Sequence, residues 1–280
     1  PPPMNRRQLQ TALTHAIEAA RVAGRLMRQN LHRAKTINEE HPHDIKLALD
    51  VQCQERIENR LRQAYPGFAV LGEEGVSGAP DAEARWVIDP IDGTVNFAHD
   101  VPHACTCIAL QIRKTNSPAR QAAYATVVGV IYDPFCDELW TAIREQPARL
   151  NGRVIQVSRR AKLAGAMVTF GVSKSKAGLA RSLPYLNWLC RHARKVRMMG
   201  SAGLGLAYVA CGRFDAYVER SVRLWDLAAG ALLVECAGGE FWNRSVPQEP
   251  EAFRLLASNG RLRPALTRSP LFRALMSPAK

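Results

Sequence analysis

The stretch that most limits what this chain can become is Trp86-Val87-Ile88-Asp89-Pro90-Ile91-Asp92-Gly93-Thr94-Val95-Asn96-Phe97. An apolar strand runs into one carboxylate, and a Pro-Ile pair separates it from a second. Gly-Thr then opens what reads as a helix, with Asp92 near the cap and Gly93-Thr94 in the first turn. A helix start presents free backbone N–H groups to an anion, and glycine lets that anion come close. Two carboxylates beside it would repel the anion unless cations lie between them. Hard divalent cations such as Mg²⁺ take carboxylate oxygens, backbone carbonyls, water and substrate phosphate. The stretch therefore predicts a metal–phosphate site at the end of a core strand. The plainer alternative, an Asp-capped turn, leaves Asp89 unexplained.

The flanking periodicity says what frame carries this site. Residues 4–33 place Leu13, Ile17, Ala20, Gly24 and Met27 at helical spacing, and residues 47–65 do the same with Leu49, Cys53, Ile57 and Leu61. Between them "NEEHPH" reads as a polar break, and Pro66-Gly67 stops the second helix. Five strand-like runs follow, "FAVLG", "RWVID", "ACTCIALQI", "AYATVVGVIYD" and "ELWTAI". From about 165 the pattern changes to alternation: strands at "AMVTFG", "KVRMMG" and "FDAYVE", helices at 178–193, 202–211 and 225–237, then strands at "GEFWN" and "RLLASN" and a last helix. The sum is an α/β protein, β-rich first and alternating later, with a lobe boundary near 150–165.

Composition narrows the class. No apolar run approaches the roughly 20 residues needed to cross a bilayer. The seven cysteines lack CxxC spacing and sit mostly in apolar segments. Cys53, Cys107, Cys190, Cys211 and Cys236 read as small core residues, with neither a disulfide framework nor a zinc site suggested, so a reducing cytoplasm is the expected setting. The net charge of +13, with local clusters at 159–162 and 191–197, suits an anionic substrate or a nucleic-acid surface; its plainer reading is a solvated exterior.

More carboxylates fall at strand ends and helix starts. Glu73 and Glu74 close "VLGEEG", Asp226 opens the apolar helix of "LWDLAAG", and Asp44 and Asp50 stand at the mouth of the second helix. Taken together, Asp50, Glu73-Glu74, Asp89-Pro90-Ile91-Asp92-Gly93-Thr94, Trp225-Asp226 and Gly238-Gly239 resemble the inositol monophosphatase family of Mg²⁺-dependent, lithium-sensitive phosphatases. The resemblance spans about 35 to 260 and includes "NFAH", "LNGRVIQVS", "GSAGLGLAYVACGRFDAYVE" and "LASN".

That resemblance implies a layered αβαβα sandwich, with a first lobe over 1–155 and a second over 156–280. It implies two or three Mg²⁺ per active site. Glu73, Asp89 and the Ile91 carbonyl resemble the ligands of one cation, and Asp89, Asp92 and Asp226 those of a second. The Gly93 and Thr94 N–H groups, beside Asp92, resemble the phosphate cradle. Thr94 and Asp50 resemble the dyad that orients and deprotonates water, so Asp50, Thr94 and Glu73 form the implied catalytic set. Glu219, Ser201 and Ala202 resemble the substrate contacts. His99 and His103 are expected to pack or support, since metal-activated water already supplies acid–base chemistry. Three departures stand out: Gly75 after Glu74, Val95 after Thr94, and Lys46-Leu47 before the second helix.

The implied activity is hydrolysis of a small phosphorylated metabolite, inositol monophosphate first, by a dimer. On the same fold the alternatives are 3′-phosphoadenosine 5′-phosphate, histidinol phosphate and fructose 1,6-bisphosphate. A reading of another class is binding to RNA or the transcription machinery, with which the positive charge is compatible.

Overall fold

The computed structural model describes residues 4–41, 44–114, 124–172, 176–247, 249 and 251–277. The chain opens with α1 (Arg6–Asn30), the strands β1 (Ile37–His41) and β2 (Asp44–Leu47), and α2 (Ala48–Ala64). Then come β3 (Ala69–Gly72), β4 (Gly75–Ser77), β5 (Ala84–Asp92), the short α3 (Thr94–Ala98), β6 (Cys105–Arg113), β7 (Tyr124–Asp133) and β8 (Glu138–Ile143). A small hairpin, β9 (Arg149–Leu150) and β10 (Arg153–Val154), precedes β11 (Met167–Phe170), α4 (Lys176–His192), β12 (Lys195–Arg197), α5 (Ala202–Ala210) and β13 (Ala216–Arg223). The chain continues through α6 (Leu224–Cys236), β14 (Glu240–Ser245), β15 (Ala252–Ser258), α7 (Arg263–Thr267) and α8 (Pro270–Met276).

Eight strands form the first large sheet in the order β10-β9-β8-β7-β6-β5-β3-β4, and five form the second in the order β12-β11-β13-β15-β14. In the first sheet only β3 and β5 run parallel; in the second, β11 runs parallel to β12 and β13. One face of the first sheet is covered by α1 and α2. The stripe Ala12, Ala16, Ala19, Ala20 and Ala23 is fully buried there, small side chains letting the helix lie close. An Asn5–Gln8 capping box starts α1, the Asn5 side chain accepting from Gln8 N at 3.0 Å while Gln8 Oε1 accepts from Asn5 N at 2.8 Å.

The other face packs on α5 and α6 in a core that joins Val87, Cys107, Ile131 and Trp140 of the first sheet to Tyr217, Val222, Leu255 and Ala257 of the second. On the far side of the second sheet, Val168, Phe170, Val218 and Leu256 pack with Tyr185 and Leu189 of α4, Leu266 of α7 and Leu275 of α8. The layers therefore run α/β/α/β/α, the sandwich expected from the sequence. We propose the lobe boundary in the connection between β10 and β11, although the two halves share a core.

Four expectations need correcting. The supposed polar break contains β1, which pairs antiparallel with β2, Glu40 opposite Ile45; its side chains carry no apolar period because the hairpin lies outside the main sheets. Asp44 accordingly belongs to a strand, and α2 starts at Ala48. Cys190 is exposed, while Cys211 and Cys236 are only partly buried: Cys190 falls on the outer side of α4, where Tyr185 and Leu189 hold the core. The last helix is two short ones, α7 and α8. The β9–β10 hairpin was also legible and passed over: Asn151 (φ 48) and Gly152 (φ 79) supply the left-handed pair of a two-residue turn.

Candidate active site

The first part of the site is built by a bulge. Strand β5 pairs with β6 so that Asp89 faces Cys107 and Asp92 faces Cys105. Two residues, Pro90 and Ile91, thus stand opposite one, Thr106, whose hydroxyl donates to the Pro90 carbonyl at 2.9 Å. The extra residue re-aims the strand end, as bulges do beside functional sites. It brings carboxylate oxygens of Asp89 and Asp92 to within 4.8 Å of each other and of Asp226. Asp226 comes from the first turn of α6, where its Oδ2 accepts from Arg223 N at 3.0 Å.

Around this triad, Glu73 sits in the β3–β4 turn, its backbone N donating to the Ile88 carbonyl at 3.1 Å. Asp50 lies in the first turn of α2, with Oδ2 accepting from Leu47 N at 2.9 Å and Oδ1 standing 3.4 Å from the Thr94 hydroxyl. That hydroxyl donates to the Ile91 carbonyl at 2.8 Å, so the expected Asp50–Thr94 pair is assembled but long, and the Ile91 carbonyl is engaged by Thr94. Gly93 stands at φ 94, and a Cβ there would meet the His103 carbonyl at 2.9 Å; only glycine fits the turn from β5 into α3.

Asp92 does more than the sequence suggested, and not for its own helix. Gly93, not Asp92, is the N-cap of α3. Asp92 instead caps α5 from the other half of the chain: it accepts from Ala202 N at 3.1 Å, Gly203 N at 2.7 Å and the Ser201 hydroxyl. Ser201 and Ala202 line the cavity as expected, but their polar groups are spent on Asp92.

Charge crowding sets the electrostatics. Asp89 and Asp92 are buried, at 2% and 7% exposure, and Asp89 Oδ1 has no hydrogen-bond partner. Burial first, then Glu73, Asp92 and Asp226, raise the Asp89 carboxyl well above its usual range. Burial and the nearby Asp92 charge push Asp226 up to about 7. Asp50 is pushed up to about 8, chiefly by burial and then by the charges of Glu73 and Glu74. An orphaned carboxylate oxygen amid mutually repelling carboxylates, all hard oxygen donors, fits a divalent cation.

The cluster floors a cavity of about 950 Å³ whose walls include Lys46, Thr94, Ser201, Glu219 and Arg223. Glu219, on β13, accepts a hydrogen bond from the Tyr217 hydroxyl. His103 does not reach the cluster; it packs edge-on against Tyr208 at 6.1 Å, and burial pushes its pKa down. His99 ends α3 as its C-cap.

Three supports were missed. Gln54 Oε1 accepts from Glu74 N at 2.9 Å while its Nε2 donates to the Gly75 carbonyl at 3.2 Å, holding the turn that carries Glu73. It stands four residues after Asp50, on the same face of α2, which was the available signal. Asn96 Nδ2 donates to the carbonyls of His103 and Met199 at 2.9 and 2.8 Å, tying α3 to the approach to α5. Tyr217 had no local signal, since its role depends on Glu219 two residues along the same strand.

Five layers with a cluster of cation-fitting carboxylates at the seam of sheet and helix define a class: layered α/β sandwiches with an acidic site able to hold a divalent cation. Comparison with known proteins gives the family. The inositol monophosphatase family model matches residues 8–269. Inositol monophosphatase 2 of Solanum lycopersicum is 37% identical over 259 residues, spanning 89% of this chain and 94% of that protein. The Nus factor SuhB of Xylella fastidiosa is also 37% identical, over 266 residues, spanning 91% and 92%. Among solved structures, the extragenic suppressor protein suhB of Bartonella henselae superposes with a TM-score of 0.82 at 30% identity, over 95% of this chain and 98% of that one. The inositol monophosphatase of Anabaena gives 0.77 at 34% identity, over 93% and 95%. The chain belongs to the inositol monophosphatase family.

Proposed function

We propose that this chain is a Mg²⁺-dependent phosphomonoesterase whose first substrate is an inositol monophosphate. The observation that carries the reading is the orphaned Asp89 oxygen, buried among Asp92, Asp226 and Glu73 at the floor of a polar cavity. Glu73, Asp89 and the Ile91 carbonyl would hold one cation, and Asp89, Asp92 and Asp226 would hold a second. Bound divalent cations supply Lewis acidity, neutralising phosphate charge and making water a better nucleophile near neutral pH.

The chain's own groups do the rest. The Gly93 and Thr94 N–H groups hold phosphate oxygens, and Lys46 and Arg223 on the cavity wall add positive charge for the anion. Thr94 orients the attacking water by its hydroxyl. Asp50 Oδ1, 3.4 Å from that hydroxyl, stands where it can take a proton through Thr94. Glu219, held by Tyr217, faces the hydroxyls of the leaving group. The enzyme works as a cytoplasmic dimer and is sensitive to lithium.

The test is phosphate release with Mg²⁺ over inositol 1-phosphate, histidinol phosphate, 3′-phosphoadenosine 5′-phosphate and fructose 1,6-bisphosphate. The expected outcome is the highest kcat/KM on inositol 1-phosphate. Turnover of another ester alone reassigns the substrate, and turnover of none retires the enzyme reading. A second reading, attachment to RNA or the transcription machinery, is favoured by relatives named Nus factor SuhB and by the exposed basic residues at 159–162 and 191–197. Direct RNA binding through them weakens steeply with added salt; no retention at low salt retires it.

A further inference from the structure

Behind the carboxylate triad lies a second set of ligating atoms of different chemistry. Cys105 and Cys107 stand two apart on β6, so both side chains leave the same face of the strand. That face looks towards α5 and the buried side of Asp92. The two sulfurs are 3.7 Å apart, Cys105 Sγ is 3.5 Å from Asp92 Oδ2, and the one-atom-each set of Asp92, Cys105 and Cys107 lies within 4.8 Å. All three residues are buried.

These separations are those of a coordination shell. A tetrahedral zinc with Zn–S of about 2.3 Å and Zn–O of about 2.0 Å sets its ligands about 3.8 Å apart for two sulfurs and about 3.5 Å apart for a sulfur and an oxygen. Both edges are present before any ion arrives. The carboxylate is fixed as well, because Ala202 N, Gly203 N and the Ser201 hydroxyl hold it in place. Ser201 Oγ, 3.8 Å from Cys105 Sγ, leaves the fourth position to a hydroxyl or water. Thiols together with one carboxylate prefer soft or borderline ions and discriminate against magnesium.

We propose that Asp92, Cys105 and Cys107 form a binding site for a thiophilic divalent cation of the zinc–cadmium kind. The ion enters through the cavity, whose wall includes Asp92 and Ser201. Each sulfur releases its proton to water as it takes the ion, with no change of oxidation state. Asp92 is shared with the hard-cation cluster, so an ion on the thiol site takes up the charge of this fixed carboxylate, weakens the neighbouring cation site and inhibits hydrolysis. Only this inhibitory consequence rests on the phosphatase reading.

The probe is Cd²⁺ titrated into the full chain, read by the thiolate-to-cadmium charge-transfer absorption and by metal analysis after dialysis. One Cd²⁺ per chain is expected, with the band lost and affinity down about tenfold or more in Cys105→Ser and Cys107→Ser. Cys136→Ser and Cys190→Ser, which alter exposed thiols, keep both. If a serine variant fails to fold, Cys107→Ala supplies the same comparison without a buried hydroxyl. In Mg²⁺ assays, Zn²⁺ inhibits the wild type and inhibits Cys107→Ser about tenfold less. A band that survives in both Cys105→Ser and Cys107→Ser, or no band in the wild type, overturns the proposal. A band without hydrolysis of any ester leaves the site standing and removes the phosphatase reading.

Discussion

At the scale of single residues, the site depends on carboxylates that are unstable company for one another. Asp89→Asn and Asp226→Asn keep the shape and remove the charge. Each is expected to cost more than the roughly 10–100-fold that loss of an outer partner of a metal ligand costs, measured as phosphate release at saturating Mg²⁺. Activity within tenfold of wild type would remove these residues from the cation site. Glu219→Ala should lower kcat/KM for inositol 1-phosphate about tenfold, or about 1.4 kcal/mol, and leave glycerol 2-phosphate nearly untouched, because only inositol presents the ring hydroxyls from which this carboxylate accepts. Equal losses on both esters would place Glu219 in support of the fold. Asp89, Asp92 and Asp226 were legible because each ends a strand or opens a helix in a compact local pattern. The bond from Glu74 N to Gln54 and the partnership of Asp92 with Ser201 were not, since they join residues 20 and 109 positions apart; the i, i+4 placement of Gln54 after Asp50 was its one local signal.

At the scale of elements, the placement of α6 decides where Asp226 stands. The helix lies close on β7 because Gly129 gives it room: a Cβ there would come within 2.9 Å of the Ala229 carbonyl. Backbone cannot swing aside as a flexible side chain can. Gly129→Ala should therefore lift α6, costing about 1–3 kcal/mol of stability in denaturant unfolding, and should raise the Mg²⁺ concentration needed for activity. Unchanged stability would mean that sheet and helix slide past each other freely. Long apolar or strongly periodic elements such as α1, β6 and β7 were readable from sequence. The β1–β2 hairpin was hidden because its strand residues 38–41 are all polar, and the bulge at Pro90-Ile91 because register is a property of two strands.

At the scale of the whole molecule, the five layers bury charge at their seam, and pH tests the cost. In the folded chain without cations, Asp50 and Asp226 titrate at about 8 and about 7, and Asp89 is raised as well. The unfolded chain releases the same protons near pH 4. Folded protein thus holds more protons across that window, so stability falls as pH rises from about 4 to about 8. In chelator, Tm should drop from pH 5 to pH 8.5, and Mg²⁺ should restore it most at the alkaline end. A flat or rising Tm in chelator would mean that these carboxyls titrate normally. The positive surface needs less explanation: Lys195 and Arg197 are exposed on the edge strand β12, where charge discourages pairing with another chain.

The order in which the chain is made has its own consequence. The first large sheet is complete once Val154 has been synthesised, yet one of its faces is roofed by α5 and α6, which end only at Cys236. Roughly 80 residues of translation separate the two events, about 4–16 s at ordinary elongation rates. Asp92 has no helix to cap until α5 is made, and Val87, Ile131 and Trp140 lack their full roof until α6 follows. A nascent chain of this length therefore keeps an apolar sheet face open to water until α6 arrives and closes the seam.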